Sequence, residues 1–112
     1  PRLIGTARAK ELIYTARRIN ARTAHEFGIV QYLTPSGNSN AKAMRLALEI
    51  AQNGPIALRA AKLSIDKGME CTSLSDAMEV EKACYGKVLA TKDRLEGLAA
   101  FKEKRKPNYQ GC

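Results

Sequence analysis

One histidine, three cysteines and eleven carboxylates are the groups with which this 112-residue chain could do acid–base, nucleophilic or metal chemistry. His25 sits in Thr23-Ala24-His25-Glu26-Phe27-Gly28, on the exposed side of a short helix, and reads as a solvated surface residue. A nucleophile relay needs Ser or Cys, a base and an orienting acid, and nothing here groups them. Cys71, Cys84 and Cys112 are odd in number, lack a CxxC spacing and have no histidine at metal-ligand distance. That pattern argues against a disulfide scaffold and a zinc site, and for free thiols in a reducing compartment. Cys84, between Ala83 and Tyr85, reads as a small packing residue. Glu79 with Glu81, or Glu96 with Glu103, could be proposed as an acid–base pair. Lysines crowd both, so surface ion pairing is the expectation. No GxGxxG or GxxxxGK[ST] loop cradles a phosphate. The residues themselves therefore assign no catalytic group and no metal ligand.

The C-terminal run Phe101-Lys102-Glu103-Lys104-Arg105-Lys106-Pro107-Asn108-Tyr109 is richer. Cations at a helix C-terminus complement the macrodipole. The same cations could instead clamp a phosphate, with Phe101 free to stack on a purine. Spacing alone leaves both open.

These groups must be carried by elements. Hydrophobic residues make up 45% of the chain and charged ones 27%, a globular balance; aromatics are 5%, so a core would be aliphatic. No apolar run approaches the ~20 residues that a membrane-spanning helix needs. The formal net charge of +8 suits a polyanionic partner: nucleic acid, a membrane surface or a phosphate-bearing ligand.

Ala9, Leu12, Ile13 and Ala16 form one stripe of a first helix, with Thr6 as its cap. Asn20 caps a second, short helix that ends at Gly28. Ile29-Val30-Gln31-Tyr32-Leu33 reads as a strand, bounded by Gly28 and Pro35. Asn40 caps a third helix carrying Met44, Ala47, Leu48 and Ala51. Pro55 opens a fourth, which runs to Gly68. Ser73 or Ser75 begins a fifth, with Leu74, Ala77, Met78, Tyr85 and Val88 as much of its buried stripe. Thr91 caps the sixth, which ends before Pro107. Gly97 inside it costs about 1 kcal/mol relative to Ala, which suggests that another backbone packs closely there, a neutral surface glycine being the alternative. A lone five-residue strand cannot form a sheet, so the pattern points to a segment not present in the chain.

Several blocks together carry a resemblance: Ala9-Lys10-Glu11-Leu12-Ile13, Ala24-His25-Glu26-Phe27-Gly28-Ile29-Val30, Gly54-Pro55-Ile56-Ala57, and Ala61-Lys62. The most specific is Thr91-Lys92-Asp93-Arg94-Leu95-Glu96-Gly97, closed by Ala100-Phe101-Lys102-Glu103-Lys104-Arg105. The chain resembles the C-terminal part of the crotonase (enoyl-CoA hydratase/isomerase) superfamily, in the branch of methylglutaconyl-CoA hydratase and enoyl-CoA hydratase domain-containing proteins.

The resemblance implies a mainly α fold, a C-terminal fragment of the ClpP/crotonase-like α/β spiral with six helices and one strand. Residues 1–39 would close the spiral core, and residues 40–112 would be the helical trimerisation region. It implies a parent enzyme, a lyase that reversibly hydrates 2-enoyl-CoA thioesters in fatty-acid or branched-chain amino-acid breakdown. Both catalytic Glu and the oxyanion amides would lie upstream of Pro1, so no catalytic residue is assigned and the fragment alone is expected to be inactive. Phe101 and Lys104 match the family's tail residues that approach the adenine and phosphate end of CoA. Arg105 is the next phosphate candidate, on charge only.

No cofactor is expected beyond the CoA of the substrate itself. The expected partners are an acyl-CoA substrate and further copies in a trimer or hexamer, with no membrane. The expected location is the mitochondrial matrix in a eukaryote and the cytoplasm otherwise. A basic RNA-binding module, or a purely structural oligomerisation module, is the alternative.

Overall fold

The computed structural model describes all of residues 1–112: α1 (Thr6–Thr15), α2 (Ala21–Glu26), α3 (Ser39–Ala51), α4 (Pro55–Gly68), α5 (Leu74–Leu89) and α6 (Lys92–Glu103). Helix accounts for 63% of the chain and there is no strand. Two compact units divide inside α3, the first Pro1–Arg45 and the second Leu46–Cys112.

Local chemistry explains most helix starts. The Asn20 side chain accepts from the Thr23 N–H, Ser73 from the Asp76 N–H, and Thr91 from the Arg94 N–H. Each satisfies an amide that the first helical turn would otherwise leave unpaired. Pro55 stands in the first turn of α4, where its missing N–H costs nothing. Two starts differ from expectation. Gly5, not Thr6, precedes α1, at φ +81° and without a side-chain cap. Helix α3 begins at Ser39, one residue before Asn40, and the Asn38 carbonyl accepts from the Lys42 N–H.

In the first unit, Ala9 of α1 is buried and the Arg8 guanidinium lies 4.9 Å from the centre of the Phe27 ring. The strand expected over Ile29–Leu33 does not form. Gly28, at φ +79°, closes α2 in a Schellman turn. Its N–H bonds the His25 carbonyl, and both the Ile29 and Val30 N–H groups turn back to the Ala24 carbonyl. His25 Nδ1 meets the Val30 carbonyl at 3.0 Å. Backbone groups that a ladder would use are thus satisfied by the end of α2. The β-branched composition suits a strand, but strand formation depends on a paired neighbour, and residues 1–112 supply none.

In the second unit, α4 and α5 form an antiparallel hairpin across the short connection Met69–Ser73. Small residues let the two backbones approach: Ala60 and Cys84 are buried, and a Cβ on Gly68 would touch that of Ala77 at 4.0 Å. A cavity of about 460 Å³ remains between them, lined by Ala57, Ala61, Ile65, Cys84, Tyr85 and Val88 among others. The apolar stripes themselves face outward. Ile65, Leu74, Met78, Tyr85, Leu95, Leu98 and Phe101 are all exposed, and no large side chain is fully buried. The stripe expected to be buried on α5 is therefore exposed at Leu74, Met78 and Tyr85, because within these 112 residues that apolar face has no counterpart.

Candidate functional site

The residues singled out at the C-terminus sit on the last turn of α6 and the segment that follows. Helix α6 ends in a second Schellman turn. The Lys104 N–H bonds the Phe101 carbonyl at 3.3 Å, and the Arg105 N–H bonds the Ala100 carbonyl at 3.0 Å. Lys104 occupies the left-handed position of that turn, at φ +55° and ψ +36°, where glycine is usual.

Phe101, on the helix just before this turn, is 87% exposed. Lys104 makes no ion pair within 4.0 Å, and neither do Lys102 and Lys106. Phe101 and Lys104 thus stand three residues apart at this helix end, the one with an exposed ring and the other with no ion-pair partner.

Arg105, the third candidate, is engaged. Its Nη1 and Nη2 donate to the two oxygens of Glu96 at 2.6 and 3.0 Å, and its Nε donates to Glu103 at 2.6 Å. A planar guanidinium suits such a fork, which a lysine could not reproduce. Glu96 also accepts the Asn108 N–H at 2.7 Å. These bonds, first that of Arg105 and then that of Asn108, hold the Glu96 carboxyl well below its ordinary 4.5, at about 2. Its two carboxylate neighbours push Arg105 upward, Glu96 more than Glu103. Glu96 and Glu103 converge on one guanidinium, as their expected role in surface pairing requires.

The tail beyond Pro107 folds back along α6, which the sequence does not reveal. Asp93, only 6% exposed, accepts the Gln110 N–H on one oxygen at 2.7 Å and the Gly111 N–H on the other at 2.8 Å. Its own N–H donates to the Cys112 carbonyl at 3.1 Å. The Tyr109 ring lies over Gly54 and Gly97: a Cβ on Gly97 would stand 3.1 Å from the Tyr109 hydroxyl oxygen. The close approach at Gly97 is thus to a tyrosine ring and not to the backbone expected there. Nothing local in the sequence marks this role of Asp93, because its partners lie seventeen and eighteen residues away. An acid in a first helical turn reads as ordinary macrodipole chemistry.

The remaining candidates do not converge. His25 is exposed and its ring is turned to the Val30 carbonyl. Glu79 approaches Lys82 at 4.0 Å, and Glu81 lines the α4–α5 cavity as its only carboxylate. All three cysteines are free, with Cys84 buried, Cys71 half-buried and Cys112 exposed. No cluster of three or more His, Cys, Asp or Glu side chains could hold a metal ion.

Residues 1–112 match the enoyl-CoA hydratase/isomerase family from end to end. The chain belongs to that family. It is 53% identical to an enoyl-CoA hydratase from Bacillus anthracis whose crystal structure superposes with a TM-score of 0.95, covering 100% of this chain and 43% of that one. It is 48% identical to the probable mitochondrial enoyl-CoA hydratase 2 of Arabidopsis thaliana, over 98% of this chain and 36% of that protein. It is 45% identical to the mitochondrial methylglutaconyl-CoA hydratase of Rattus norvegicus, over 99% of this chain and 36% of the relative. The chain thus spans well under half the length of these relatives. Its neighbours share the crotonase fold, so its helices belong to that α/β architecture even though no strand is present here.

Proposed function

We propose that residues 1–112 are the C-terminal part of an enzyme that reversibly hydrates 2-enoyl-CoA thioesters. The family match along the whole chain carries this proposal. In that reaction hydroxide from water adds to the β-carbon and a proton to the α-carbon. The thioester oxygen carries enolate charge between the two steps. Two carboxylates deliver the water and the proton, and paired backbone amides hold the oxyanion. Those groups lie outside this chain in the present proposal, and none of its own residues is assigned to them.

The segment's own contribution is binding and assembly. Phe101 and Lys104 contact the adenine and phosphate end of CoA, the ring by stacking and the ammonium as a compact charge. The exposure of Phe101 and the absence of any ion pair at Lys104 support this contact. The outward apolar faces of α4, α5 and α6 support packing against the remainder of the enzyme and its copies, in a trimer or hexamer. No cofactor is needed, because CoA is part of the substrate. A eukaryotic source would place the enzyme in the mitochondrial matrix, as the names of the plant and rat relatives indicate for them, and a bacterial source in the cytoplasm.

The CoA contact is tested by steady-state kinetics on the whole enzyme with crotonyl-CoA. Lys104→Ala is expected to raise KM about fivefold, and Lys102→Ala less than about twofold, the range of a partly exposed charge contact. Equal effects from the two would reduce the tail to bulk electrostatics.

A further inference from the structure

Three observations on the last turn of α6 belong together. Lys104 is held at φ +55°, a left-handed conformation that residues with a side chain rarely adopt. The next residue, Arg105, is tied on three sides, to both oxygens of Glu96 and to Glu103. The same Glu96 oxygen that accepts Arg105 Nη1 also accepts the Asn108 N–H, so the chain is pinned again three residues past the turn. Lys104 therefore sits between a helix end and an anchored guanidinium, in a turn that its own side chain does not favour.

We propose that Glu96, acting through Arg105, is a positioning residue for the CoA tail: its fork with Arg105 fixes the turn that presents Lys104 and Phe101 to the phosphate and adenine. The inference rests on the CoA contact proposed above. It also reassigns Arg105 from phosphate ligand to anchor. The two roles make opposite demands on Glu96. An arginine that bound phosphate directly would bind it better once its carboxylate partner was neutralised. An anchor would lose its hold.

The test is Glu96→Gln in the whole enzyme, assayed with crotonyl-CoA and with crotonyl-pantetheine, which lacks the nucleotide. Expected are a KM for crotonyl-CoA raised about fivefold, kcat changed less than about twofold, and an unchanged KM for crotonyl-pantetheine. A KM for crotonyl-CoA that stays level or falls overturns the inference. So does equal damage on both substrates, the mark of a purely structural role. Should Glu96→Gln fail to fold, Glu103→Gln removes the other, more exposed arm of the fork and is expected to shift the crotonyl-CoA KM alone, in the same direction; no shift would overturn the proposal. Lys104→Ala separates the two levels. If it raises KM while the glutamate variants do not, only the positioning role falls; if it too has no effect, the CoA contact falls and the positioning role with it.

Discussion

Lys104 sets conformational preference against the CoA contact proposed for it. The left-handed turn that ends α6 would suit glycine, which pays no Cβ penalty there. Lysine is unfavourable at this position by about 1–2 kcal/mol, and the strain is consistent with a side chain kept for what it binds. Lys104→Gly is therefore expected to stabilise the fold by about 1 kcal/mol while weakening the binding of the CoA ester. Thermal unfolding and KM, measured on one preparation, check this: Tm and KM should rise together. A fall in Tm would mean that Lys104 contributes contacts which offset its backbone strain. Arg105 shows what composition hides at this scale. A basic residue in a basic run reads as available charge, yet three carboxylate oxygens occupy it. Only the fold of the tail brings Glu96, nine residues earlier, to face it.

At the scale of elements, α6 and its returning tail form a small unit closed by two carboxylates, Asp93 at one end and Glu96 in the middle. Glu96 gives this closure a pH dependence with a definite sign. Its carboxyl titrates near 2 in the folded chain against an ordinary 4.5, so the folded state favours the ionised form. The stabilisation is complete above 4.5 and is lost as the pH falls from there through about 2. The Asn108 amide, which donates to Glu96, reports it directly. Its chemical shift in an acid titration is expected to move with a midpoint near 2 in the native chain, and the movement should vanish in Glu96→Gln. A midpoint near 4.5 would show that the fork with Arg105 is not made in solution.

Element ends with a local chemical cause were legible in the sequence: Asn20, Ser73 and Thr91 as caps, Pro55 as an opener and Gly28 as a stop. Ile29–Leu33 has strand propensity but forms no strand, because that propensity describes how a residue fits a sheet and no sheet is present. The return of the tail was invisible because its hydrogen bonds join Asp93 to residues up to eighteen positions away.

On the scale of the whole molecule, the carboxylates decide what this chain can do by itself. Hydration of an enoyl thioester needs two of them facing one substrate and the reacting water, in a site shielded from bulk solvent. Glu11 is paired with Arg17, Asp66 with Lys62, Glu70 with Lys67, and Glu96 and Glu103 share Arg105. Asp93 is spent on backbone amides. The α4–α5 cavity carries Glu81 as its only carboxylate. Its other lining is alanine, isoleucine, valine and tyrosine with Ser64 and Cys84, and it offers no second acid. The 112-residue chain by itself is therefore expected to show no hydration of crotonyl-CoA above the uncatalysed rate, followed by loss of absorbance of the conjugated thioester. Turnover that is abolished by Glu81→Gln would locate an acid–base site in the α4–α5 cavity and displace the assignment of the chemistry to residues outside this segment.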